Sequence, residues 1–287
     1  MFWVTQPVAS KRFLITIGDR TVGGLTHRDQ MVGRYQVPVA DCAVTLSDYR
    51  GFTGEAMAMG ERTPIASSDS AAAARMAVAE SILNLLAAPI ELPRVKLSAN
   101  WMAACGQNGE DAALYEAVQA IGMELCPELD ISIPVGKDSL SMRMQWQDGD
   151  TKKAVTSPIS LIISSFASIG DVRKTLTPEL SQGKASLILI DLGKGKSRMA
   201  HSILAQTMNQ VGDVVPDLDT VEDLRHVVNA INELREQNLI KAYHDRSDGG
   251  LFAAVAEMAF TARVNIDLVV DMLLIEGDGI SDSRMDS

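Results

Sequence analysis

Cysteines are few in this chain and lie far apart. Cys42, Cys105 and Cys126 are the only three among 287 residues, and none has the Cys-x-x-Cys spacing of a zinc site or the density of a disulfide framework. We therefore expect reduced, mostly buried thiols. A run of about eighteen apolar residues and a basic-then-apolar leader are both missing, so neither a membrane span nor a signal peptide is expected. These features predict a cytoplasmic protein.

Basic residues are outnumbered by acidic ones. The chain has 26 Lys and Arg against 37 Asp and Glu, which gives a formal net charge of −11. Because phosphate backbones attract basic surfaces, this balance argues against a nucleic acid as partner. Apolar residues make up 46% of the sequence, and its length allows one large or two modest domains, each with a sizeable core.

One predicted helix carries two polar residues on its apolar face. The segment DSAAAARMAVAESILNLLAA begins at a capping residue, Asp69 or Ser70, and ends before Pro89. Glu80 and Asn84 are four residues apart, so they point the same way from an apolar stripe. A buried carboxylate needs a cation, a strong donor or water beside it, and oxygen ligands of this kind suit Mg²⁺. The alternative is structural: Glu80 reaches solvent or an arginine, and Asn84 bonds to neighbouring backbone.

Two further carboxylates lie in contexts that suit a ligand. Asp41 interrupts the apolar run VPVADCAVT, which has strand composition, although a turn or strand-end role fits it equally. Asp245 lies in HDRSDGG (residues 244–250), where two glycines and a helix start offer close backbone approach and free N–H groups to an anion. Asp245 and Ser247 can supply a metal ligand and a hydroxyl donor. The alternative, an Asp248 N-cap with a glycine turn, gives the other two no role.

Seven motifs resemble one enzyme family. In chain order they are RDQMVG (28–33), VPVADCAV (37–44), GEAMAMGER (54–62), KLSANWMAACG (96–106), GEDAALYEAV (109–118), PVGKDSLSM (134–142) and HDRSDGGL (244–251). They resemble phosphoribosylformylglycinamidine synthase in its large single-chain bacterial form. The order and the separations of the motifs are those of the family, and the resemblance runs from about residue 11 to about residue 267.

The resemblance implies an α/β fold of the aminoimidazole ribonucleotide (AIR) synthetase type. The implied divisions are a barrel-forming α/β domain at residues 1–175, an incomplete second α/β domain at residues 184–268, and an unaligned acidic tail at residues 269–287, which we expect to fray. The match covers only the second half of the family's synthetase core. The implied partners are therefore the missing first half and the glutaminase domain.

The same resemblance implies a ligase of purine biosynthesis. The family uses ATP to convert formylglycinamide ribonucleotide and glutamine-derived ammonia to formylglycinamidine ribonucleotide. The implied cofactors are Mg²⁺ and ATP or ADP. The residues that align with the family's magnesium ligands are Asp41, Glu80, Asn84 and Asp245, and those that align with nucleotide contacts are Ala40 and Ser247.

Two alternatives to a ligase fragment stay open. In the large enzymes the aligned residues are associated with an auxiliary nucleotide site thought to be structural, so this chain can be a non-catalytic Mg-ADP-binding module, and alone it is expected to be inactive as a ligase. A relative with different chemistry, such as AIR synthetase or selenophosphate synthetase, is the weaker option. The motifs KLSANWMAACG and PVGKDSLSM argue against it.

Alternating strands and helices are predicted along the chain. The predicted strands span residues 12–18, 39–46, 55–59, 95–99, 131–135, 140–146, 160–167, 186–190 and 239–243. The further predicted helices span residues 110–124, 197–211 and 221–237, with another over LFAAVAEMAF.

Three features keep more than one interpretation. Lys137 and Ser139, in a predicted loop at residues 136–139, fit a hairpin turn or a phosphate contact. The loop Gly-Lys-Gly-Lys at residues 193–196 fits an ordinary α/β connection or a phosphate loop. His244 is expected to position its loop through a ring N–H bond, and the alternative is a proton shuttle.

Overall fold

The computed structural model describes residues 5, 8–18, 20–21 and 23–273. Its strands are β1 (Thr26–Arg28), β2 (Ala43–Leu46), β3 (Gly54–Glu61), β4 (Lys96–Met102), β5 (Ser132–Ser139), β6 (Arg143–Asp148), β7 (Thr151–Thr156) and β8 (Ser160–Ile169). Its α-helices are α1 (Arg12–Ile17), α2 (Ser70–Leu85), α3 (Glu110–Gln119), α4 (Cys126–Leu129), α5 (Ile203–Thr207), α6 (Val221–Glu236) and α7 (Gly250–Ala262). A π-helical segment, Ala120–Leu125, joins α3 to α4.

Six strands form one mixed sheet. Their order is β1-β2-β3-β8-β4-β5, and all neighbours are antiparallel except the parallel pair β4 and β5. Helix α2 packs across β3 and β8, while β6 and β7 form a separate antiparallel hairpin. The mixed α/β class predicted from the sequence is confirmed.

The core lies between the sheet and the helices on one of its faces. Buried and exposed residues alternate along β3 and β4, as expected for strands with one covered face. Large side chains with almost no exposure fill this space, including Ile82, Leu85, Leu97, Ile121 and Ile163. Their burial stabilises the sheet–helix contact, because each such side chain contributes roughly 1.5–3 kcal/mol when removed from water.

The opposite face of the sheet, here called the open sheet face, is not covered by the described residues. It carries Met57, Met59, Phe166 and Val135, which the strand pairings place on one side. Met59 is 58% exposed and Val135 is 55% exposed. Exposed apolar side chains on one sheet face are a feature of contact surfaces.

Small residues let α2 approach β3 closely. A Cβ added to Gly60 would lie 2.2 Å from the Ala77 carbonyl oxygen and 2.4 Å from the Ser81 amide nitrogen. The Ser81 carbonyl in turn accepts a 3.0 Å hydrogen bond from the Ser165 hydroxyl on β8. Helix α2 therefore sits directly on the strand. Its predicted start is confirmed, because the Asp69 side chain caps it by accepting from the backbone of the first turn.

Two predicted elements of the first part were wrong, and one predicted strand was too long. Residues 12–18 form α1 instead of a strand, because the segment has no sheet neighbour and closes its own backbone bonds, as in the bond from Gly18 N to Leu14 O. Residues 136–139 belong to β5 instead of a loop, since parallel pairing with β4 draws them into the ladder. Strand β2 begins at Ala43, so the strand predicted at residues 39–46 is shorter and Asp41 precedes it.

Three predicted elements of the second part were also wrong. Residues 186–190 and 239–243 form no strand, because they pair with no ladder among the described residues. The helix predicted at residues 197–211 is only α5. By contrast, the predicted helices that became α6 and α7 are present. The predicted fraying of the acidic tail falls mainly on residues 274–287, which lie outside the described residues.

In the part of the chain that the structure describes, no helix is both long enough and apolar enough to cross a bilayer.

Gly60→Ala should destabilise the fold by about 3 kcal/mol, because the added methyl group overlaps backbone atoms of α2 that cannot rotate away. Gly136→Ala is the matched control on β5. Nothing lies within 4 Å of its added Cβ, so its effect should stay within about 0.5 kcal/mol. Urea unfolding of both variants measures the difference, and equal stabilities would contradict the close packing of α2 on β3.

Candidate functional site

Residues from two distant parts of the chain meet beside the sheet. Asp41 immediately precedes β2, and His244 and Asp245 lie in the loop that leads into α7. One ligand atom from each of these three residues lies within 4.8 Å of the others. We call Asp41, His244 and Asp245 the acid cluster. Their side chains are nearly inaccessible to solvent, at 1%, 6% and 10% exposure respectively.

His244 is held by carboxylates at both ring nitrogens. Its Nδ1 lies 2.7 Å from Asp41 Oδ1 and its Nε2 lies 2.9 Å from Glu257 Oε2. Burial alone lowers the pKa of His244, but the two carboxylates outweigh burial and raise the pKa to about 10. The ring is therefore a cation at neutral pH, with each N–H donating to a carboxylate.

Asp41 and Asp245 place two carboxyl groups side by side. Burial, and next the charge of Asp41, raise the pKa of Asp245 to about 8. The Asp245 backbone N–H donates to Asp41 Oδ1 over 3.2 Å. The other oxygen, Asp41 Oδ2, is buried and has no hydrogen-bond partner among the described residues. An unsatisfied buried carboxylate oxygen is costly, and oxygen-only coordination suits a hard divalent cation, so this donor set fits Mg²⁺.

Glu80 approaches the acid cluster from α2. Its Oε2 accepts a 2.7 Å hydrogen bond from Glu61 N, and its Oε1 lies 3.5 Å from Arg62 Nη2. Burial raises the pKa of Glu80 to about 7, although Arg62 opposes that rise. The charge of Glu80 contributes to the raised pKa of Asp245. The ionisation of Glu80 therefore affects the ionisation of Asp245.

Asn84 lies one turn beyond Glu80 and bonds to the sheet. Asn84 Nδ2 donates a 3.0 Å hydrogen bond to the Met59 carbonyl on β3. Met59 lies beyond the last residue pair of the β2–β3 ladder, Ala43 and Met57. The contacts of Glu80 and Asn84 are thus those of the structural alternative. Since the bond uses the amide nitrogen, it leaves the amide oxygen for another partner. Metal ligation by Glu80 and Asn84 stays a prediction.

The remaining predicted site residues lie around the cluster. Ala40 lines a cavity together with Asp41, and Ser247 accepts a 2.9 Å backbone bond from Gly250 at the start of α7. The alternative of an Asp248 N-cap is wrong, because the helix begins with Gly249 at its N-cap and without a side-chain cap. Asp248 pairs instead with Arg62.

Sequence reasoning missed two members of this network. Arg62 links Glu80 to Asp248, and Glu257 holds the far side of His244. Arg62 lies in the motif GEAMAMGER, so its position in the family-like sequence was visible, but its partner 186 residues away was not. Glu257 had no local signal, since one carboxylate in a helix is ordinary.

Comparisons with known proteins agree with this fold. Residues 10–168 match the family of the FGAR-AT PurM_N-like domain, and residues 189–282 match the C-terminal domain of AIR synthase related proteins. The second match extends past residue 268, where the sequence resemblance stops.

Solved structures from Thermotoga maritima are similar to the chain. PurL complexed with FGAR has a TM-score of 0.56 at 12% identity, over 82% of this chain and 35% of that one. PurLQS has a TM-score of 0.43 at 17% identity, over 60% of this chain and 25% of that one. PurL complexed with ADP has a TM-score of 0.43 at 18% identity, over 62% and 26%. The first likeness shows a shared fold. The chain spans only about a quarter to a third of the length of these proteins.

The fold and the two matches define an AIR-synthase-like protein, with an N-terminal domain followed by an AIR-synthase-type C-terminal domain. Because the first match covers more than half of the 287 residues, the chain belongs to the FGAR-AT PurM_N-like family.

His244→Gln should lower the free energy of unfolding by about 3 kcal/mol near pH 6, since it leaves buried carboxylates without their cation. The pKa of His244 is raised from 6.5 to about 10 on folding. Its stabilisation is therefore complete below about pH 6.5 and is lost as the pH rises towards about 10. The difference between wild type and variant should shrink over that window.

Urea unfolding between about pH 6 and pH 10 measures this dependence. His226→Gln is the matched control, because His226 is 68% exposed and, among the described residues, forms its one ion pair with Glu222 on the same helix. A constant difference between wild type and His244→Gln across the window would contradict a charged ring in the folded state.

Proposed function

We propose that this chain is the second half of the synthetase core of a phosphoribosylformylglycinamidine synthase, and that the acid cluster with Glu80 and Asn84 binds magnesium and an adenine nucleotide. The observation that carries the proposal is the convergence of Asp41 and Asp245, which are distant in sequence, with Asp41 Oδ2 buried and unpartnered. The similar Thermotoga maritima PurL structure named for its complex with FGAR supports it.

Each residue has a distinct part in the proposed site. Asp41 and Asp245 would hold the cation directly, with oxygens of Glu80 and Asn84 as further ligands. When bound, the metal would neutralise and orient phosphate oxygens. His244 fixes Asp41 by hydrogen bonding. The Ser247 hydroxyl, at the start of α7, is suited to donate to phosphate.

Metal binding at this site is linked to proton release. Because the pKa of Asp245 is about 8, its carboxyl group is largely protonated at neutral pH. A cation requires the ionised form. The affinity for Mg²⁺ should therefore increase with pH up to about 8.

The open sheet face is the surface on which we propose that the missing first half packs. Phe166 and Met59 are 41% and 58% exposed there, and a sheet with one uncovered apolar face is completed by a second layer. The glutaminase domain would supply ammonia to the assembled enzyme. The purine-pathway ribonucleotide would bind only in that assembly.

The second candidate is a non-catalytic Mg-ADP-binding module within the same enzyme. It is favoured by His244, whose two ring nitrogens are occupied and whose pKa of about 10 keeps the ring from accepting a proton at neutral pH. Nucleotide that survives purification and resists hydrolysis would support this alternative.

Asp245→Asn and Glu80→Gln should each weaken Mg-ADP binding by about tenfold or more, equivalent to about 1.4 kcal/mol, because each removes a carboxyl group that ionises when it binds the cation. Calorimetric titration of Mg-ADP measures the affinities. Asp150→Asn, in the exposed turn between β6 and β7, is the control for loss of one negative charge. Unchanged affinity in both site variants would count against the assignment.

A mixture of this chain with the complementary synthetase half and the glutaminase domain should recover ATP- and magnesium-dependent formation of the amidine, while the chain alone stays inactive. Turnover is followed by ADP release in the presence of formylglycinamide ribonucleotide. Asp245→Asn in the mixture then separates the two candidates: loss of turnover per assembled complex favours a catalytic site, and retained turnover favours the structural module.

A further inference from the structure

The exposed side of α3 and of the π-helical segment that follows it carries an apolar stripe. Tyr115, Val118 and Gly122 recur at the spacing of one helical face, and Met123 is next to them. The side chains of Tyr115, Val118 and Met123 are 67%, 44% and 76% exposed. On the side of the helix that faces the core, residues such as Ile121 are buried. This helix is therefore apolar on two sides, and the described residues cover only one of them.

The backbone beneath part of the stripe is a π-helix. The segment Ala120–Leu125 extends α3, and a bond from Cys126 N to Ile121 O closes its wider turn. Segments of this kind are rare in proteins and occur frequently at functional sites. Because Met123 lies within the segment, the unusual backbone and the exposed apolar surface coincide.

The charges on this helix are all acidic. Residues 97–136 contain no Lys, Arg or His. They contain six acidic residues, which are Glu110, Asp111, Glu116, Glu124, Glu128 and Asp130. Glu116 accepts a 3.4 Å hydrogen bond from Ser70, and Glu124 accepts a 3.5 Å bond from Gln119. Neither carboxylate forms an ion pair with a residue that the structure describes, so the negative charge beside the stripe is not neutralised.

A groove of about 680 Å³ borders the stripe at Glu124, between the π-helical segment and the start of α6. Its charged lining residues are Arg75, Glu124, Glu128, Asp217, Asp219, Glu222 and Arg225. The two arginines are already engaged, since Arg75 donates to Asp217 at 2.6 and 2.8 Å and Arg225 pairs with Glu222 at 3.2 Å. Lys196 and Arg198 pair with Asp219. Glu124 and Glu128 are therefore the carboxylates of this groove that have no ion pair with a described residue.

We propose that the stripe and its acidic margin form a docking surface for a basic amphipathic helix of a partner protein. The apolar face of such a helix would cover Tyr115, Val118 and Met123, because exposed apolar stripes at helical spacing are the complement of an amphipathic helix. Its lysine or arginine side chains would meet Glu116 and Glu124. These opposite charges would give the contact its orientation and its specificity.

The charge of the surface decides between possible occupants. Nucleic acids and anionic lipids carry negative charge, so this surface repels them. A second copy of the chain, paired about a two-fold axis, would place the same carboxylates opposite one another. The proposed first half of the synthetase core would pack on the open sheet face, whereas α3 packs on α2 in the helical layer. The docking surface is thus separate from the contacts of the proposed function and does not depend on them.

A synthetic amphipathic helix of leucine and lysine, with the leucines on one face, tests the surface. A length of about 15 residues suffices for helix formation, and calorimetric titration into the whole chain measures its affinity. Val118→Ser and Met123→Ser together should weaken binding by about tenfold. Glu124→Gln and Glu128→Gln together should weaken binding by about threefold and reduce its dependence on salt. All four residues are exposed, so both double variants should fold.

Met59→Ser and Glu55→Gln are the matched controls, since both residues are exposed on β3, on the open sheet face. Each should leave binding unchanged, as should Asp245→Asn in the proposed metal site. A peptide with glutamate in place of lysine should not bind. The proposal is overturned if a scrambled peptide of the same composition binds as tightly, because attraction to an acidic chain then explains the binding. It is also overturned if Met59→Ser weakens binding as much as the Val118 and Met123 changes do.

Discussion

The buried ring of His244 is the constraint on which the site depends. It joins Asp41, at the edge of the sheet, to the loop that begins α7, and its second nitrogen reaches Glu257 within that helix. Without a cation between them, these carboxylates and Asp245 would repel one another in a poorly solvated space. The ring therefore has two roles. It fixes the loop against Asp41, and its positive charge offsets the repulsion between the neighbouring carboxylates.

Helix α2 supplies the other side of the site, and its position is fixed at its middle and beyond its last turn. Small residues seat it on β3, where Gly60 leaves no room for a side chain. Beyond its last turn, the buried Arg235 of α6 donates to the carbonyls of Leu86 and Ala87. Because those carbonyls have no partner within the helix, the arginine acts as a cap supplied by the second part of the chain. These contacts fix the position of α2, and with it the position of Glu80.

The sequence predicted best those features that depend on local periodicity. The limits of α2 followed from Asp69 and from the proline after it, and the oxygen side chains of Glu80 and Asp245 were noticeable because they interrupt apolar or glycine-rich patterns. Pairings across about two hundred residues, such as Asp41 with His244, have no local signal. The strand predicted at residues 186–190 failed for a related reason: β-branched composition favours an extended chain, but a strand exists only where a neighbour completes the ladder.

The protein's own cations already balance the charges that a metal would meet. His244 neutralises Asp41, Arg62 approaches Glu80, and Asp245 holds a proton near neutral pH. A bare divalent ion must displace these partners, and it would bring two charges into a place that is close to balanced. A metal that arrives with phosphates brings anions with it, which can engage Arg62 and so release Glu80. In the proposed site, the same electrostatic balance would therefore favour a metal–phosphate complex over the ion alone.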